Sequence, residues 1–402
     1  MVKGYKKTEI GLLPQNWEVK TIGKISTPKA RIGWQNLRKE EYMESGLYML
    51  ITGTDFEDGR VNYSTCKFVS ENRYEQDPNI QVKNGDVLVT KDGTLGKVAI
   101  IKGLNFKATL NAGVFVLGNL SSSINNEFLY QYLSTNRLMK YAERTSTGGT
   151  IQHLNQGVLV DFPIPVPPVE EQARMAAALS DIDDLIIKSE ELIKKYQTMK
   201  QGCLQHMFPR NGQTEPDMRL PGFSGAWEQR KVGDICSIST GKSNTQDKVD
   251  DGIYPFYVRS PIIEHSNKYL YDEEAVLTVG DGVGTGKVFH YVNGKYDLHQ
   301  RVYRMFGFSE DVSAKYFYQW FSEKFYDRVM AMTAKTSVDS VRYEMIADME
   351  VQLPTIVEQN EIADFLFGLD HLITLHQRKR EKYKMIKQGM MEDLLTGKVR
   401  LK

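Results

Sequence analysis

The stretch GDGVGTGKV at 280–288 is the part of the sequence closest to a phosphate-binding loop. In the pattern G-x-x-x-x-G-K-[ST], however, Asp281 takes the place of the first glycine, and Val288 that of the hydroxyl residue that binds magnesium. The dinucleotide pattern G-x-G-x-x-G fails as well, because Thr285 and Lys287 stand where its last glycine is required. The stretch is therefore predicted to be a glycine-rich turn between two strands.

Other residue types that do chemistry are scattered along the chain. The seven histidines include no H-x-x-x-H pair that could hold zinc. The three cysteines, Cys66, Cys203 and Cys236, form no C-x-x-C pair, which is typical of a reducing cytoplasm. The sequence contains no G-x-S-x-G nucleophile elbow. We therefore expect no catalytic site and no metal in this chain, and a cytoplasmic location.

Four polar loops remain, and they stand at like places in the two halves of the chain. They are rich in Lys, Arg, Ser, Thr, Asn and Gln, the side chains that contact phosphates and base edges in nucleic acids. The same composition is typical of ordinary surface loops, so the loops alone leave nucleic-acid binding open. The four loops are 26–39, 144–157, 239–248 and 333–345.

The loops lie in an internal duplication. NWEVKTIGKI is repeated as AWEQRKVGDI, which places Trp17 over Trp227. Three further pairs follow in the same order, so the chain is two copies of one unit of roughly 190–210 residues. That period is too long for a solenoid and fits a domain followed by a helix. The matching segments are 16–25 with 226–235, 86–98 with 275–288, 128–134 with 316–322, and 161–176 with 348–363.

Each copy ends in a long helical pattern, in which apolar residues alternate at steps of three and four, the a/d rhythm of a coiled coil. Each helix spans about 35–40 residues, or roughly 55–60 Å. Two such stripes in one chain most simply pack on each other as an antiparallel pair. The alternative is two helices buried in two separate domains. The predicted seam residues are Ile182, Leu185, Leu192, Tyr196, Met199, Ile362, Phe365, Leu369, Leu372, Tyr383 and Ile386.

The remaining parts of each copy combine strands with later helices. Short runs such as DVLVT, GVFVLG and AVLTV are typical of strands, and longer runs such as NNEFLYQYLSTNRLMKYAER of helices. The predicted fold class is therefore α+β, with two mixed α/β domains separated by two long antiparallel coiled-coil helices. The predicted boundaries are 1–168 for the first domain, 169–208 for the first helix, 209–355 for the second domain, and 356–402 for the second helix and tail.

Composition narrows the functional classes. The chain has 402 residues, of which 25% are charged and 41% hydrophobic, as in an ordinary globular protein. It contains no apolar run of about 18 residues that would cross a membrane. Its formal net charge is +0. Since nucleic-acid binders are often basic, this argues against tight DNA binding by the chain alone, but not against binding within a complex whose partners supply positive charge.

The duplicated motifs resemble those of the specificity subunits of Type I restriction–modification systems. The likeness rests on YKKTEIGLLPQNWEVKTIGKI at 5–25, on STGGTIQHLN at 146–155, on ISTGK followed by GIYPFYVRS within 238–260, and on the two helices that continue into KQG. It covers essentially the whole chain.

The resemblance implies two target-recognition domains, each reading one half of an asymmetric, bipartite site in double-stranded DNA. It implies that the helices separate these domains and dock two methylation subunits. It further implies that this chain is non-catalytic and holds no cofactor. The methylation subunits would bring S-adenosylmethionine, and the restriction subunits of the full complex would bring ATP and magnesium.

The loops then supply the residues predicted to contact DNA. The set for one half-site is Lys29, Arg31, Lys91, Gln152 and His153, and the set for the other is Lys242, Asn244, Arg259, Lys287, Lys335 and Arg342. Two other functions stay open at this point. The chain could be a non-catalytic coiled-coil scaffold that reads no DNA, or an enzyme with a nuclease site that these motifs do not show.

Overall fold

The computed structural model describes residues 4–118, 120–145, 153–210, 212–282, 284–332 and 340–401. It divides into two compact units. The first unit combines Met1–Glu190 with Arg378–Lys402, and the second is Glu191–Gln377. Each unit therefore contains one mixed domain, the first part of the helix that follows it, and the last part of the other long helix.

The first unit is built on two small four-stranded sheets, with strand orders β11-β10-β13-β4 and β8-β5-β12-β9, in which β5 and β12 are parallel. Three two-stranded ribbons, β1-β2, β6-β7 and β3-β14, complete it. Its strands are β1 Tyr5–Thr8, β2 Gly11–Pro14, β3 Glu18–Thr21, β4 Thr27–Lys29, β5 Tyr48–Ile51, β6 Phe56–Glu57, β7 Arg60–Val61, β8 Lys67–Val69, β9 Gln81–Val82, β10 Val87–Thr90, β11 Val98–Ile100, β12 Lys107–Leu110, β13 Val114–Gly118 and β14 Pro163–Val166.

Helices of the first unit pack against these sheets. Phe128 and Leu129 of α3 enter the same core as Val87 and Val89 of β10, whereas Leu88 enters a second core on the other face, so β10 is buried on both faces. The helices are α1 Ile22–Ile25, α2 Glu71–Glu75, α3 Asn126–Leu133, α4 Arg137–Thr145, α5 Gln156–Asp161 and the long α6 Val169–His206, which continues into the second unit.

The second unit repeats this plan with one six-stranded sheet, in the order β16-β21-β19-β20-β17-β18, and a ribbon β15-β22. The long β20 takes the places of both β11 and β12, so the two sheets of the first unit are joined into one here. The strands are β15 Glu228–Lys231, β16 Ser237–Thr240, β17 Tyr254–Tyr257, β18 Glu264–Ser266, β19 Tyr271–Val279, β20 Phe289–Leu298, β21 Val302–Phe306 and β22 Glu350–Leu353. The helices are α7 Val232–Ile235, α8 Ala314–Met332, α9 Tyr343–Ala347 and α10 Ile356–Leu394.

In the first unit, the tail after α10 packs on the start of α6. Arg400 donates from Nη2 to Oε2 of the buried Glu171 at 2.7 Å and lies 5.6 Å from the ring of Trp17. Trp17 also donates from Nε1 to Glu171 at 3.1 Å. Leu394 and Leu395 enter the core beside these groups. The end of the second long helix is therefore an integral part of the first unit.

The second unit contains a corresponding arrangement with other parts of the chain, although Nε1 of Trp227 has no hydrogen-bond partner among the described residues. Arg219 donates from Nε to Oε1 of the buried Glu358 at 2.7 Å and lies 5.9 Å from the ring of Trp227. Met207 and Phe208, which directly follow α6, enter the core there. The segment after α6 thus does for the second unit what the C-terminal tail does for the first.

The two long helices contact each other within each unit. In the first unit, Lys387 bonds to Asp183 at 2.6 Å, and Arg380 pairs with Glu190. The higher-numbered residue of α6 meets the lower-numbered residue of α10, so these segments run in opposite directions.

The second unit holds the other parts of α6 and α10. Lys200 bonds to Asp370 at 2.7 Å, and the ring of Tyr196 lies 5.8 Å from that of His376. Here too the chain numbers run in opposite directions, so the segments are antiparallel in this unit as well.

The predicted seam is out of phase with the buried positions of α6. Leu185 is 40% exposed and Met199 is also exposed, whereas Leu179, Ile186 and Ile193 are buried at seven-residue spacing. In this frame the seam also includes Asp183 and Glu190, which pair with cations of α10. The sequence pattern did not indicate this frame, because Asp183 and Glu190 look like surface residues until their cationic partners on α10 are known.

The predictions on α10 divide in the same way. Ile362 and Leu369 are buried, Ile362 together with Leu366 in the core of the second unit, but Phe365 and Ile386 are exposed. The remaining predicted seam residues are half-buried; they are Ile182, Leu192, Tyr196, Leu372 and Tyr383.

This phase can be tested with two neighbouring substitutions. Ile186→Asp buries a carboxylate beside Asp183 and is expected to reduce the free energy of unfolding by about 3 kcal/mol or more. Leu185→Asp places the same charge at an exposed position and should cost less than about 1 kcal/mol. Urea unfolding followed by circular dichroism measures both. Equal losses, or a larger loss for Leu185→Asp, would show that the seam follows the originally predicted frame.

Candidate nucleic-acid interface

Backbone hydrogen bonds gather four segments at one edge of the second unit. Gly280 donates to the carbonyl of Arg301 at 2.8 Å, and Val341 donates to that of Gly280 at 2.7 Å. Gln300 donates to the carbonyl of Ser243 at 2.8 Å. These bonds bring the polar loop after β16, the glycine-rich turn after β19, the β20–β21 turn and the segment before α9 together. We call this edge the second-unit edge.

A carboxylate stands between two arginines at the second-unit edge. Asp281 Oδ1 lies 3.3 Å from Nη1 of Arg259, and its Oδ2 lies 3.7 Å from Nε of Arg301. The following residue, Gly282, has a φ of +82°, which a glycine adopts at no steric cost. Both arginine side chains are more than half exposed. One carboxylate orients two cations here, and the local charge stays positive.

Buried polar groups stabilise the second-unit edge by hydrogen bonds. Ser243 donates from Oγ to the buried Asp297 at 2.6 Å. His299 accepts the backbone N–H of Arg301 on Nδ1 at 3.0 Å, and its Nε2 lies 3.4 Å from the hydroxyl of Thr245. Burial, and then the nearby Arg259, lower the pKa of His299. The neutral imidazole is the form that can accept from Arg301, so it fixes the turn that carries this arginine.

The first unit has an equivalent edge, which we call the first-unit edge. Lys91 donates its N–H to Gly113 at 2.8 Å, and Leu154 donates to the carbonyl of Lys91 at 2.9 Å. These bonds match those of Gly280 in the other copy. Gly113 donates to Oδ1 of Asn111 at 3.1 Å, so Asn111 fills the place of His299. The duplicated sequence therefore gives a duplicated backbone frame.

The side chains on the two frames differ. Asp92 stands where Asp281 stands, but its partner is the exposed His153 on Nδ1. Lys91 is half-buried, with Nζ 5.5 Å from the ring of Phe115. Lys29, at the end of β4, is exposed. The first-unit edge thus presents lysines and a histidine where the second-unit edge presents arginines.

The prediction that Arg31 contacts DNA is contradicted by its position. Arg31 is 2% exposed, and its guanidinium donates to the carbonyl of Leu110 at 3.0 Å and to the hydroxyl of Thr109 at 3.2 Å. Burial lowers the pKa of this arginine, with Arg73 adding to the effect. Its role is to tie the loop after β4 to the sheet, as Ser243 and Asp297 do in the second unit.

Other predicted residues are accessible on the surface. Lys242, Arg259 and Arg342 are exposed, and Asn244 is half-buried and accepts from Gln300 at 2.5 Å. Lys242, Asn244 and Arg342 belong to the segments gathered at the second-unit edge, and Arg259, which follows β17, reaches it through Asp281. Lys287 is exposed on the far side of the glycine-rich turn, with Nζ 5.3 Å from the ring of Tyr326. Gln152 and Lys335 lie outside the described residues.

Sequence reasoning missed the acidic residue at the centre of each edge and one of the two cations of Asp281 in the second unit. Asp92 and Asp281 are acidic, whereas the composition of the loops directs attention to basic side chains. The signal was present, since D-G occurs at the same point of both copies, in KDGTLGKV and GDGVGTGKV. Arg301 could not be found this way, because its counterpart in the first unit is Gly113.

Two features are absent from the part of the chain that the structure describes. No group of three or more His, Cys, Asp and Glu side chains there is placed to hold a metal ion. None of the helices found there is both long enough and apolar enough to span a bilayer. The prediction that the chain holds no metal stays a prediction.

Comparison with known proteins gives a consistent result. Segments 14–197 and 225–384 match the model of the family described as Type I restriction modification DNA specificity domain. The chain is 25% identical over 423 residues to the Type I restriction enzyme MjaVIII specificity subunit of Methanocaldococcus jannaschii, covering 97% of this chain and 94% of that protein. It is 22% identical over 429 residues to the putative MjaX specificity subunit of that organism, covering 100% of this chain and 97% of that protein.

A solved structure has a similar fold. The crystal structure of a Type-I restriction-modification S subunit from M. genitalium matches with a TM-score of 0.67 at 15% identity. The match covers 94% of this chain and 96% of that one. At this identity the likeness concerns the fold alone.

The neutral state of His299 can be measured by NMR titration of its ring. Burial and Arg259 lower its pKa, while Asp281 raises it, so Asp281→Asn should lower the pKa further. The pKa of His299 is lower in the folded chain than in the unfolded chain, so the unfolded chain binds a proton on this imidazole more tightly. The contribution of His299 to stability is therefore present above about pH 6.5 and is lost as the pH falls. Asp272→Asn, an exposed change at the far end of β19, is the control. A rise in the pKa on Asp281→Asn would contradict the arrangement.

Proposed function

Because the chain belongs to the family of Type I restriction–modification DNA specificity subunits, we propose that each unit reads one half of an asymmetric, bipartite site in double-stranded DNA. The observation that carries this proposal is the pair of equivalent edges with different side chains. Two copies of one frame place a reading surface on each unit. Lys29, Lys91 and His153 on one frame and Arg259 and Arg301 on the other give the two surfaces different chemistry.

The chemistry of these side chains suits DNA. Exposed lysines contact phosphates, and an arginine oriented by a carboxylate can present two N–H groups to O6 and N7 of guanine in the major groove. Asp281 holds Arg259 and Arg301 in defined directions before DNA arrives, which reduces the side-chain entropy lost on binding. The proposal assigns base reading to the second-unit edge chiefly through these two arginines.

We further propose that α6 and α10 pair along their length as an antiparallel coiled coil that separates the readers and docks two methylation subunits. The exposed apolar residues support this. Leu185, Leu192 and Met199 repeat every seven residues on α6, beside the buried frame of Leu179, Ile186 and Ile193. Phe365, Leu372 and Ile386 follow the same spacing on α10 with one interruption at Lys379. A second apolar stripe of this kind fits helices of a partner.

The division of labour in the complex follows from this proposal. The methylation subunits would bring S-adenosylmethionine for adenine methylation. The restriction subunits of the full complex would bring ATP and magnesium for translocation and cleavage. In the proposal this chain supplies the site and the geometry, and it acts as a non-catalytic specificity subunit.

The reading role is tested by methylome sequencing of cells that carry the chain and its methylation subunits. Arg259→Ala and Arg301→Ala are each expected to cost about 1–3 kcal/mol of DNA binding and to relax only one half of the methylated motif. Exchange of residues 1–150 for those of a relative should change only the other half. If either change altered both halves together, the two-reader proposal would be wrong. A gel shift of the assembled complex separates it from a scaffold, which would shift no duplex.

The docking role is tested by a triple change on the exposed stripe, Leu185→Ser, Leu192→Ser and Met199→Ser. The chain should keep most of its stability, because two of these side chains are exposed and the third is half-buried. Binding of the methylation subunits, measured by size-exclusion chromatography, should fall at least tenfold. A triple change at exposed polar positions of the same helix, Lys188→Ser, Lys195→Ser and Thr198→Ser, is the control. Full assembly of the apolar triple variant would exclude this stripe as the docking surface.

A further inference from the structure

The first unit carries a row of cations that the proposed reading surfaces do not use. Arg137, Lys140 and Arg144 of α4 stand at steps of three and four, so their side chains project from one face of the helix over about 10 Å. Leu138 and Ala142, on the opposite face, are buried in the core. Within the described part of the chain, none of the three cations forms an ion pair. We call Arg137, Lys140 and Arg144 the α4 row.

The α4 row lines an open groove. The groove, of about 990 Å³, lies between α4, the start of β14 and the last turns of α10. Lys384 and Lys387 of α10 face it as well, although Lys387 is paired with Asp183. The carboxylates that line it are Glu9 and Glu392, and Glu392 is paired with Lys398. Cations therefore dominate the groove.

A second groove joins this one to the first-unit edge. It has a volume of about 420 Å³ and shares Ser134, Lys384 and Lys387 with the first groove. Its other walls include Leu95, Gly96 and Lys97 of the glycine-rich turn that follows Asp92. Met139 of α4 lies directly against Gly96, so the helix is packed on this turn. Asp58 and Asp183 also line this second groove, and Asp183 is paired with Lys387. A polyanion bound at the first-unit edge can pass Lys97 and Lys384 to reach the α4 row.

The second unit lacks the α4 row. Tyr326 of α8 packs against Gly286 as Met139 packs against Gly96, which aligns the two helices. In this alignment Lys324 replaces Arg137, but Asp327 replaces Lys140 and Ala331 replaces Arg144. A protein partner that docks once on each copy would need the same row twice. A row present in only one copy therefore argues against such a partner.

We propose that the α4 row binds phosphates of the DNA backbone that flanks the half-site read by the first unit. This inference rests on the proposed function and adds to it a contact that is independent of sequence. Phosphates of one strand advance by about 3.4 Å per base pair along the helix axis, so a row of about 10 Å reaches about three of them. The first unit then holds its half-site by backbone contacts to a greater degree than the second unit does.

The test is the salt dependence of DNA binding by the complex of this chain with its methylation subunits. The variant Arg137→Ala/Lys140→Ala/Arg144→Ala is titrated by fluorescence anisotropy with a duplex that carries the methylated motif and with a scrambled duplex. Each lost phosphate contact should reduce the slope of log K against log salt by about 0.9, so the slope should fall by about 2–3. Both duplexes should lose affinity alike, and the methylated motif should stay the same.

Two controls make the result specific. Lys7→Ala/Lys24→Ala/Lys83→Ala removes the same charge from exposed positions outside the groove and outside the four polar loops, and should leave the slope unchanged. Arg137→Lys/Arg144→Lys keeps the charges and should retain the slope of log K against log salt. If the arginines acted only by stabilising the structure, this variant would lose DNA binding as the alanine variant does.

Three outcomes overturn the inference or its premise separately. An α4-row variant that binds DNA with an unchanged slope shows that the row contacts no phosphate. A variant that folds but no longer binds the methylation subunits shows that the groove takes an acidic segment of a protein instead. If the unaltered complex showed no preference for the motif duplex, the proposed function itself would be wrong.

Discussion

A buried carboxylate at the start of each long helix is the contact on which each unit depends. Glu171 accepts from both Arg400 and Trp17, and Glu358 accepts from Arg219, which lies over Trp227. Loss of one member of such a pair leaves an uncompensated buried charge, which costs about 3–5 kcal/mol. Arg400 follows α10 and packs in the first unit, whereas Arg219 follows α6 and packs in the second. Each unit therefore contains one segment of each long helix, and the antiparallel contacts within the units follow from this.

The duplication gives one chain two equivalent backbone frames that carry different side chains. Backbone bonds such as Val341 to Gly280 and Leu154 to Lys91 are repeated in both copies, because they need no particular side chain. Residues that project from these frames are free to differ, as His153 and Arg301 do. Structural roles have diverged too, since the loop held by Arg31 in one copy is held by Ser243 and Asp297 in the other. Reading surfaces can thus change without loss of the frame that positions them.

Much of the fold could be predicted from the sequence, since the spacing of apolar residues indicates the repeat, the two long helices and the mixed domains. The phase of the helix seam could not, because Asp183 and Lys387 are 204 residues apart in sequence and read as surface charges until their ion pair is seen. The same limit applies to the site. The sequence does not show whether a basic residue in a polar loop is buried, so the prediction that Arg31 lies on the surface was wrong. Asp281 was not predicted, because its function is to orient two arginines that are distant in sequence.

The central claim is that both edges meet DNA in the same complex, and cysteine labelling tests it directly. The three native cysteines are free and buried, so a cysteine introduced at an exposed position gives the main signal. Lys29→Cys and Lys242→Cys are labelled with a charged maleimide in the assembled complex, with and without a duplex that carries the methylated motif, and Lys83→Cys, at an exposed position outside the polar loops, serves as the reference. We predict that the duplex slows labelling at positions 29 and 242 at least fivefold and leaves labelling at position 83 unchanged. Unchanged labelling at both edges while the duplex is bound would contradict it.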